Sequence, residues 1–558
     1  MSLRAPLVYF IPEDTEQAAR ACFPKGHPFM CIAEQLDALY ANAQFASLFA
    51  PTGQPALDPA RLALVTVFQF MEGLTDEQAA DAVRGHLAWK YALALPLHDP
   101  GFDSSVLCEF RARLLAGGQE ALLLDTLLER VRERGLLKAR GRARTDSTHV
   151  LAAVRTASRL VTCGETLRAA LNAVAAADPA WVCAHVTAAW FERYGHRLDE
   201  YRLPKAQGAR AELAATCGAD GQHLLRAIYA PEAPPTLRTL PAVQILRAVW
   251  VQQFYAPAAT GAVRWREDAD QPASALQILS PYDPEARLSV KRDQHWVGYK
   301  VHLTETCDEE TPHLITHVET TPATTQDEQA LEPIHAALAA RDLLPAEHLV
   351  DAGYVDAERL VRSRTAYEVR LVGPAPSDRS WQARAGAGFA AGCFAVDWEA
   401  RQVICPQGQV SREWKVVGPH KEEIHVEFAR ATCGGCAVRE QCTQAARTGR
   451  TLHFHAQEQH IALAAQRAEQ QTAAFKAAYA ARAGVEGTLN QGIRVGDLRQ
   501  ARYWGAAKTH LQHILIAVAV NLWRLVAWWQ ERPRAQTRIS TFAALKGRYP
   551  LATALAAA

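Results

Sequence analysis

The chain has 558 residues, 49% hydrophobic and 21% charged, with 60 Lys and Arg against 59 Asp and Glu. These values exclude a disordered, collagen-like or fibrous chain. A net charge of +1 argues by itself against nucleic-acid binding, but the charge is unevenly spread. From Arg130 to Arg144 there are seven basic residues against Glu133, and from Arg494 to Arg548 ten against Asp497 and Glu531. Such stripes attract phosphate backbones; a solvated helix face is the plainer alternative. The start, MSLRAPLVYFIPEDTEQ, has only a four-residue apolar run, unlike a secretory leader. The apolar stretch Thr509 to Trp523 is interrupted by Asn521 and falls short of the roughly 20 residues a bilayer demands, so it reads as a buried helix. A bacterial-type cytoplasmic protein with no membrane partner is expected.

Residues 1–135 read as a helical domain, of the helix-turn-helix sort or a plain helical bundle without DNA contact. Asp58-Pro59 is an N-cap with Pro at N1, and Gly73 closes that helix. Thr75 to Gln78 is a capping box, and Asp103 starts a further helix. Residues 136–154 contain a first strand, RARTDSTHVLAAV, in which Asp146, Thr148 and Val150 share one face. Residues 155–278 are Ala- and Leu-rich and read as a helical insertion. Residues 279–380 resume the sheet: a hairpin of 297–304 and 313–319, a helix Asp327 to Ala340, a strand His348 to Asp351, a helix capped by Asp356, and a strand Tyr367 to Val372. Residues 381–455 form a β-rich insertion carrying clustered cysteines. Residues 456–535 are helical, with one long helix from Gln457 to about Gly484 and another from Leu511 to Trp529, and 536–558 is a tail. The fold class is therefore a mixed α/β core with a helical N-terminal domain, a helical insertion and a small β-rich insertion.

Three carboxylates stand out. Asp146 lies within the first strand. Asp351 ends a later strand, at the carboxyl edge of the sheet where α/β proteins keep their sites. Tyr479, Arg482 and Glu486 are spaced to share one helical face. Two strand acids and one helix acid meeting at a point form an all-oxygen site that suits Mg²⁺. Two such ions can activate an attacking oxygen and stabilise a leaving one.

Among twelve cysteines, eight are scattered and read as small core residues. Cys405, Cys433, Cys436 and Cys442 cluster, and four thiolates make a full tetrahedral zinc set of the structural kind. His420, His425, His453 and His455 are possible substitutes for one of them, and free thiols are the alternative.

Asp146-Ser-Thr-His149, Val350-Asp351-Ala-Gly-Tyr354 and Tyr479-x-x-Arg482-x-x-x-Glu486 resemble the three blocks of the DDE transposases of bacterial insertion sequences, in particular a group with a helical N-terminal domain and a ribonuclease-H-like core. Further blocks agree: Leu57-x-Pro59, Gly73-Leu-Thr-Asp76, Asp103-Ser104 and Phe110-Arg111; Ser280-Pro-Tyr-Asp283 with Lys291; Trp296-x-Gly-Tyr-Lys300-x-His302; and Arg499-x-x-Arg502-Tyr503 with Lys508-Thr-His-Leu-Gln512. The likeness runs from about residue 25 to 530. It implies that Asp146, Asp351 and Glu486 hold two Mg²⁺ ions, with Mn²⁺ able to substitute. It implies cleavage of double-stranded DNA at the element's terminal inverted repeats and attack of the freed 3′ hydroxyl on target DNA. A homodimer on DNA and a nucleoid location follow from the same likeness.

Tyr479 and Arg482 would hold the strand near the cut. Related chains often carry Lys seven residues after the glutamate; here Ile493 stands there, so Arg494 or Lys508 would take the phosphate contact, joined by Arg499 and Arg502. From the basic stripe, Arg140, Arg142 and Arg144 are expected on the DNA path. Gly484 and Gly487 bracket Glu486, explained either by close approach of a DNA backbone or by a helix end. Two other functions compete: a hydrolytic ribonuclease-H-like nuclease without strand transfer, and a catalytically idle DNA-binding regulator.

Overall fold

The computed structural model describes residues 2–3, 9–154, 157–255, 263–291, 293–418, 423–534 and 541–542. The expected tail, apart from 541 and 542, lies outside them, as do His420, Arg538, Lys546 and Arg548. A six-stranded mixed sheet occupies the centre. Its middle strand, Arg142–Leu151, pairs antiparallel with the long strand Gln294–Thr306 and, on its other edge, parallel with Glu347–Val350. Arg370–Val372 continues the parallel side. The outer edge of the long strand carries Arg287–Lys291 at its start and Ile315–Pro322 along the rest, both antiparallel. The chain is thus mixed α/β, and this strand order is consistent with a ribonuclease-H-like core. Gly298 sits opposite Leu151 at φ +154, where a Cβ would lie 2.1 Å from the Val150 carbonyl oxygen, so the strands close up only around glycine.

The amino-terminal helices form as their caps dictate. Asp58 accepts from the Arg61 amide, Gly73 ends Pro59–Glu72 at φ 70, and Thr75 and Gln78 cap each other reciprocally. Asp103 accepts from the Ser105 amide at the start of Ser105–Ala116. The helix Ala506–Trp529 is long and apolar enough to cross a membrane, yet 78% of its most apolar window is buried inside the protein. It packs on Pro59–Glu72, Leu122–Glu133 and the strand Ile315–Pro322, joining helices and sheet in one core. Asn521, buried on it, accepts from the Ile315 amide at 2.7 Å and donates to the Ile315 carbonyl at 2.8 Å. The polar residue that interrupts the apolar run is therefore a fastening to the sheet.

Helices Arg159–Ala177, Gln207–Tyr229 and Pro241–Gln253 share a separate core that includes Cys163 and Cys217. The strands Glu413–Val417, Glu423–Glu427 and Thr451–His455 make a small antiparallel sheet with its own core.

Two elements differ from expectation. The helix foreseen from Gln457 to Gly484 is broken into Gln457–Glu469, Ala473–Ala480, a 3-10 turn Ala481–Ala483 and a new helix Gly484–Gly496. The Thr472 hydroxyl accepts from the Phe475 amide and starts a fresh amino terminus. The strand foreseen from Tyr367 begins only at Arg370, because Tyr367 closes Ala357–Tyr367 and Glu368 turns the chain at φ 54.

Candidate catalytic site

Three separated pieces of chain bring acids together beside the middle of the central strand. Asp146 lies on Arg142–Leu151, with Oδ1 accepting from the Ser147 amide at 2.8 Å. Asp351 follows the parallel strand Glu347–Val350, and its Oδ1 accepts from the Gly353 amide at 2.9 Å. Glu486 stands in the first turn of Gly484–Gly496. All three face the guanidinium of Arg482. Its Nη2 lies 2.7 Å from Asp146 Oδ2 and 3.6 Å from Asp351 Oδ2, and its Nη1 lies 3.2 Å from Glu486 Oε1. The side chains of Asp146 and Arg482 are 15% and 14% exposed; those of Asp351 and Glu486 are 49% and 63% exposed. The pocket therefore opens on the Asp351 and Glu486 side.

Burial raises the Asp146 carboxyl above its ordinary range; the charge of Arg482 opposes that, while Asp351 and Glu486 add to it. Burial likewise raises the half-buried Tyr479 phenol, whose ring stacks on Phe475 at 5.7 Å. The three carboxylates converge on the Arg482 guanidinium, and they offer only oxygen donors, the set that hard divalent ions take. As placed, however, no group of three His, Cys, Asp or Glu side chains among the described residues is arranged to hold a metal ion. The acids share the Arg482 guanidinium, whose charge occupies the point where they meet.

A fourth carboxylate stands beside them that the sequence reading passed over. Asp327 opens the helix Asp327–Ala340, accepts from Ser147 Oγ at 3.2 Å and pairs with Lys300 Nζ at 3.2 Å. Asp327 Oδ2 lies 3.3 Å from where a Gly353 Cβ would sit. Its signal was its place at a helix start just after the outer strand. Below, His302 Nδ1 meets the Tyr354 hydroxyl at 2.6 Å, so the Lys300-x-His302 and Ala-Gly-Tyr354 blocks touch.

The basic residues expected on DNA divide. Arg494 and Lys508 are exposed, and Arg499 is exposed while its Nε donates to Thr148 at 2.8 Å. Arg140 is exposed and donates to the Tyr367 and Glu368 carbonyls. Arg142 pairs with Glu347 and donates to the Ala478 carbonyl. Arg144 departs from its expected role: it is buried against Glu305 at 2.7 Å, because its strand position points it into the core. Arg502 also departs, lying over the Phe70 ring and donating to the Leu74 carbonyl. Arg482, foreseen on the strand, is instead held by the acids. Gly484 faces the Arg144 guanidinium and needs no DNA backbone to explain it, whereas Gly487 has open space where a side chain would stand.

Cys405, Cys433, Cys436 and Cys442 line one cavity of about 40 Å³ with Phe394, Phe428 and Arg450. The Gln409 amide donates to Cys405 Sγ and the Arg450 amide to Cys433 Sγ, both at 3.4 Å. Burial raises the Cys442 thiol; the charge of Arg450 opposes and the three other cysteines add to the rise. His425 and His453 face each other across the small sheet at 4.9 Å.

A mixed α/β sheet that gathers one acid on a strand, one just after a strand and one on a helix is an arrangement open to phosphodiester chemistry. Two family models match the chain: a Transposase DDE domain over residues 404–526, which contains Glu486 but neither aspartate, and a Transposase domain (DUF772) over residues 17–113. Over those two stretches the chain is similar to transposases, over the first of them to the DDE kind. No curated protein matches the chain.

Proposed function

We propose that the chain is a transposase that binds the ends of its element, cleaves them and joins the 3′ hydroxyl ends to target DNA, with Asp146, Asp351 and Glu486 as the ion-holding set. The observation that carries the reading is the convergence of these acids, from three distant parts of the chain, on one cation. Two divalent ions, Mg²⁺ or Mn²⁺, would supply activation of the attacking oxygen and stabilisation of the leaving one. Arg482 neutralises the acids in the free protein, and its guanidinium would equally suit a phosphate of the scissile strand. Tyr479 lines the same path. The exposed Arg494, Arg499, Lys508 and Arg140 contact the DNA backbone, while Arg144 and Arg502 serve the fold. Residues 1–135 recognise the element ends, 136–154 with 279–380 and 456–535 form the catalytic core, and 155–278 and 381–455 are insertions within it. The active species on DNA is a homodimer, and the protein works in the bacterial cytoplasm at the nucleoid.

The four cysteines would hold one structural zinc ion, a reading supported by their shared cavity and the two amides aimed at sulfur. A joining assay tests the main reading. Purified protein, Mg²⁺, the DNA flanking the reading frame and a plasmid target should yield covalently joined products. Cleavage without any joining would leave a nuclease instead.

A further inference from the structure

The helix bearing Glu486 is anchored from its far side by a buried charge network that touches none of the three acids. Glu305, on the long strand, is fully buried. It accepts from Arg144 Nε at 2.7 Å, from Arg524 Nη1 at 2.5 Å and from the Thr488 hydroxyl at 2.7 Å. Arg524 also donates to Thr488 Oγ1 at 2.6 Å and to Gln491 Oε1 at 3.0 Å. Arg144 reaches the other way, its Nη1 donating to the Ala481 carbonyl at 2.5 Å. Its guanidinium fills the space beside Gly484, where a Cβ would lie 2.1 Å from Nη1.

Ala481, Gly484, Thr488 and Gln491 recur at steps of three and four, so these contacts lie along one side of the turn and helix. Arg482 and Glu486 project from another side. Held at four levels, the helix is fixed both along its axis and in rotation about it. Burial opposes charge on Glu305, but Arg524 and Arg144 together hold its carboxyl below the ordinary range, so the clasp stays ionised.

We infer that Arg144 and Glu305 are positioning residues, which set the height and rotation at which Glu486 meets Asp146 and Asp351 and thereby the affinity of the acids for divalent ions. The inference rests on the reading of those acids as ion ligands. Groups that orient metal ligands without touching the metal commonly change affinity by about 10- to 100-fold when altered. A purely structural clasp would change the melting temperature and leave the ion affinity of the folded protein alone.

Gly484→Ala is the sharpest variant. Alanine favours a helix over glycine, yet its methyl group requires the Arg144 guanidinium to move. Full-length wild type, Gly484→Ala, Arg144→Lys, Gly487→Ala and Glu486→Gln are compared by calorimetric Mn²⁺ titration and by melting temperature. Gly484→Ala and Arg144→Lys should bind Mn²⁺ about tenfold or more weakly while still melting cooperatively, and Gly487→Ala should bind as wild type. If Arg144→Lys fails to fold, Gly484→Ala decides alone. Wild-type Mn²⁺ affinity in Gly484→Ala overturns the positioning role. Wild-type affinity in Glu486→Gln overturns the ion-ligand reading itself and the positioning role with it, an outcome recognisable because only that variant removes a proposed ligand.

Discussion

Arg482 holds three acids at once, donating to Asp146 and Glu486 and lying 3.6 Å from Asp351, while its buried Nε has no hydrogen-bond partner. A guanidinium in that spot competes with divalent ions. Arg482→Ala should therefore lower the melting temperature without metal, because Asp146 then lies largely buried among like charges. The rise in melting temperature on adding Mg²⁺ should be larger than in wild type. Thermal scans with and without Mg²⁺ check both; an equal or smaller rise would show that Arg482 does not compete for the site. Arg482 also marks a limit of sequence reading. Its spacing to Glu486 was legible as one helical face, but its contact with Asp146, 336 positions away, depends on the 3-10 turn Ala481–Ala483, which no periodicity announces.

At the level of elements, the blocks that seemed separate in sequence lock together. Arg111 on Ser105–Ala116 grips Asp76 through both nitrogens, at 3.0 and 2.6 Å, and lies over the Tyr503 ring. Burial opposes ionisation of Asp76, but its bonds to Arg111 and Gln69 hold the carboxyl below its ordinary value. A depressed carboxyl contributes stability that is present above its unfolded value and lost as pH falls through its folded one. Arg111→Ala should cost about 2–3 kcal/mol at neutral pH, and the gap from wild type should narrow below about pH 4. Urea unfolding at pH 7 and pH 3 measures it; a pH-independent gap would mean the pair matters by packing alone. The cysteine module makes a second test. Metal analysis should find about one zinc per chain, and a strong chelator should lower the melting temperature. Zinc-free protein with an unchanged melting point would leave four free thiols around a small cavity.

For the whole molecule, local rules went far and long-range ones less so. Caps at Asp58, Thr75 and Asp356 placed helix starts correctly because the signal lies within four residues. The hairpin and the parallel strand ending just before Asp351 followed from β-branched runs and a following glycine. The basic stripe misled at Arg144: a strand alternates its faces, and which face is the core depends on Glu305 and Arg524, far away in sequence. Asp327 reads in the sequence as a helix start, but its reach to Ser147, 180 positions away, is set by the fold alone.

The convergence of Asp146, Asp351 and Glu486 is the point on which the functional reading stands, and single-turnover cleavage of element-end DNA probes it most directly. Asp146→Asn, Asp351→Asn and Glu486→Gln should each cut about a thousandfold or more slowly than wild type in Mg²⁺, while binding the same DNA with similar affinity. Any one of them cutting at a rate near wild type would contradict the assignment of that acid and the three-acid site with it.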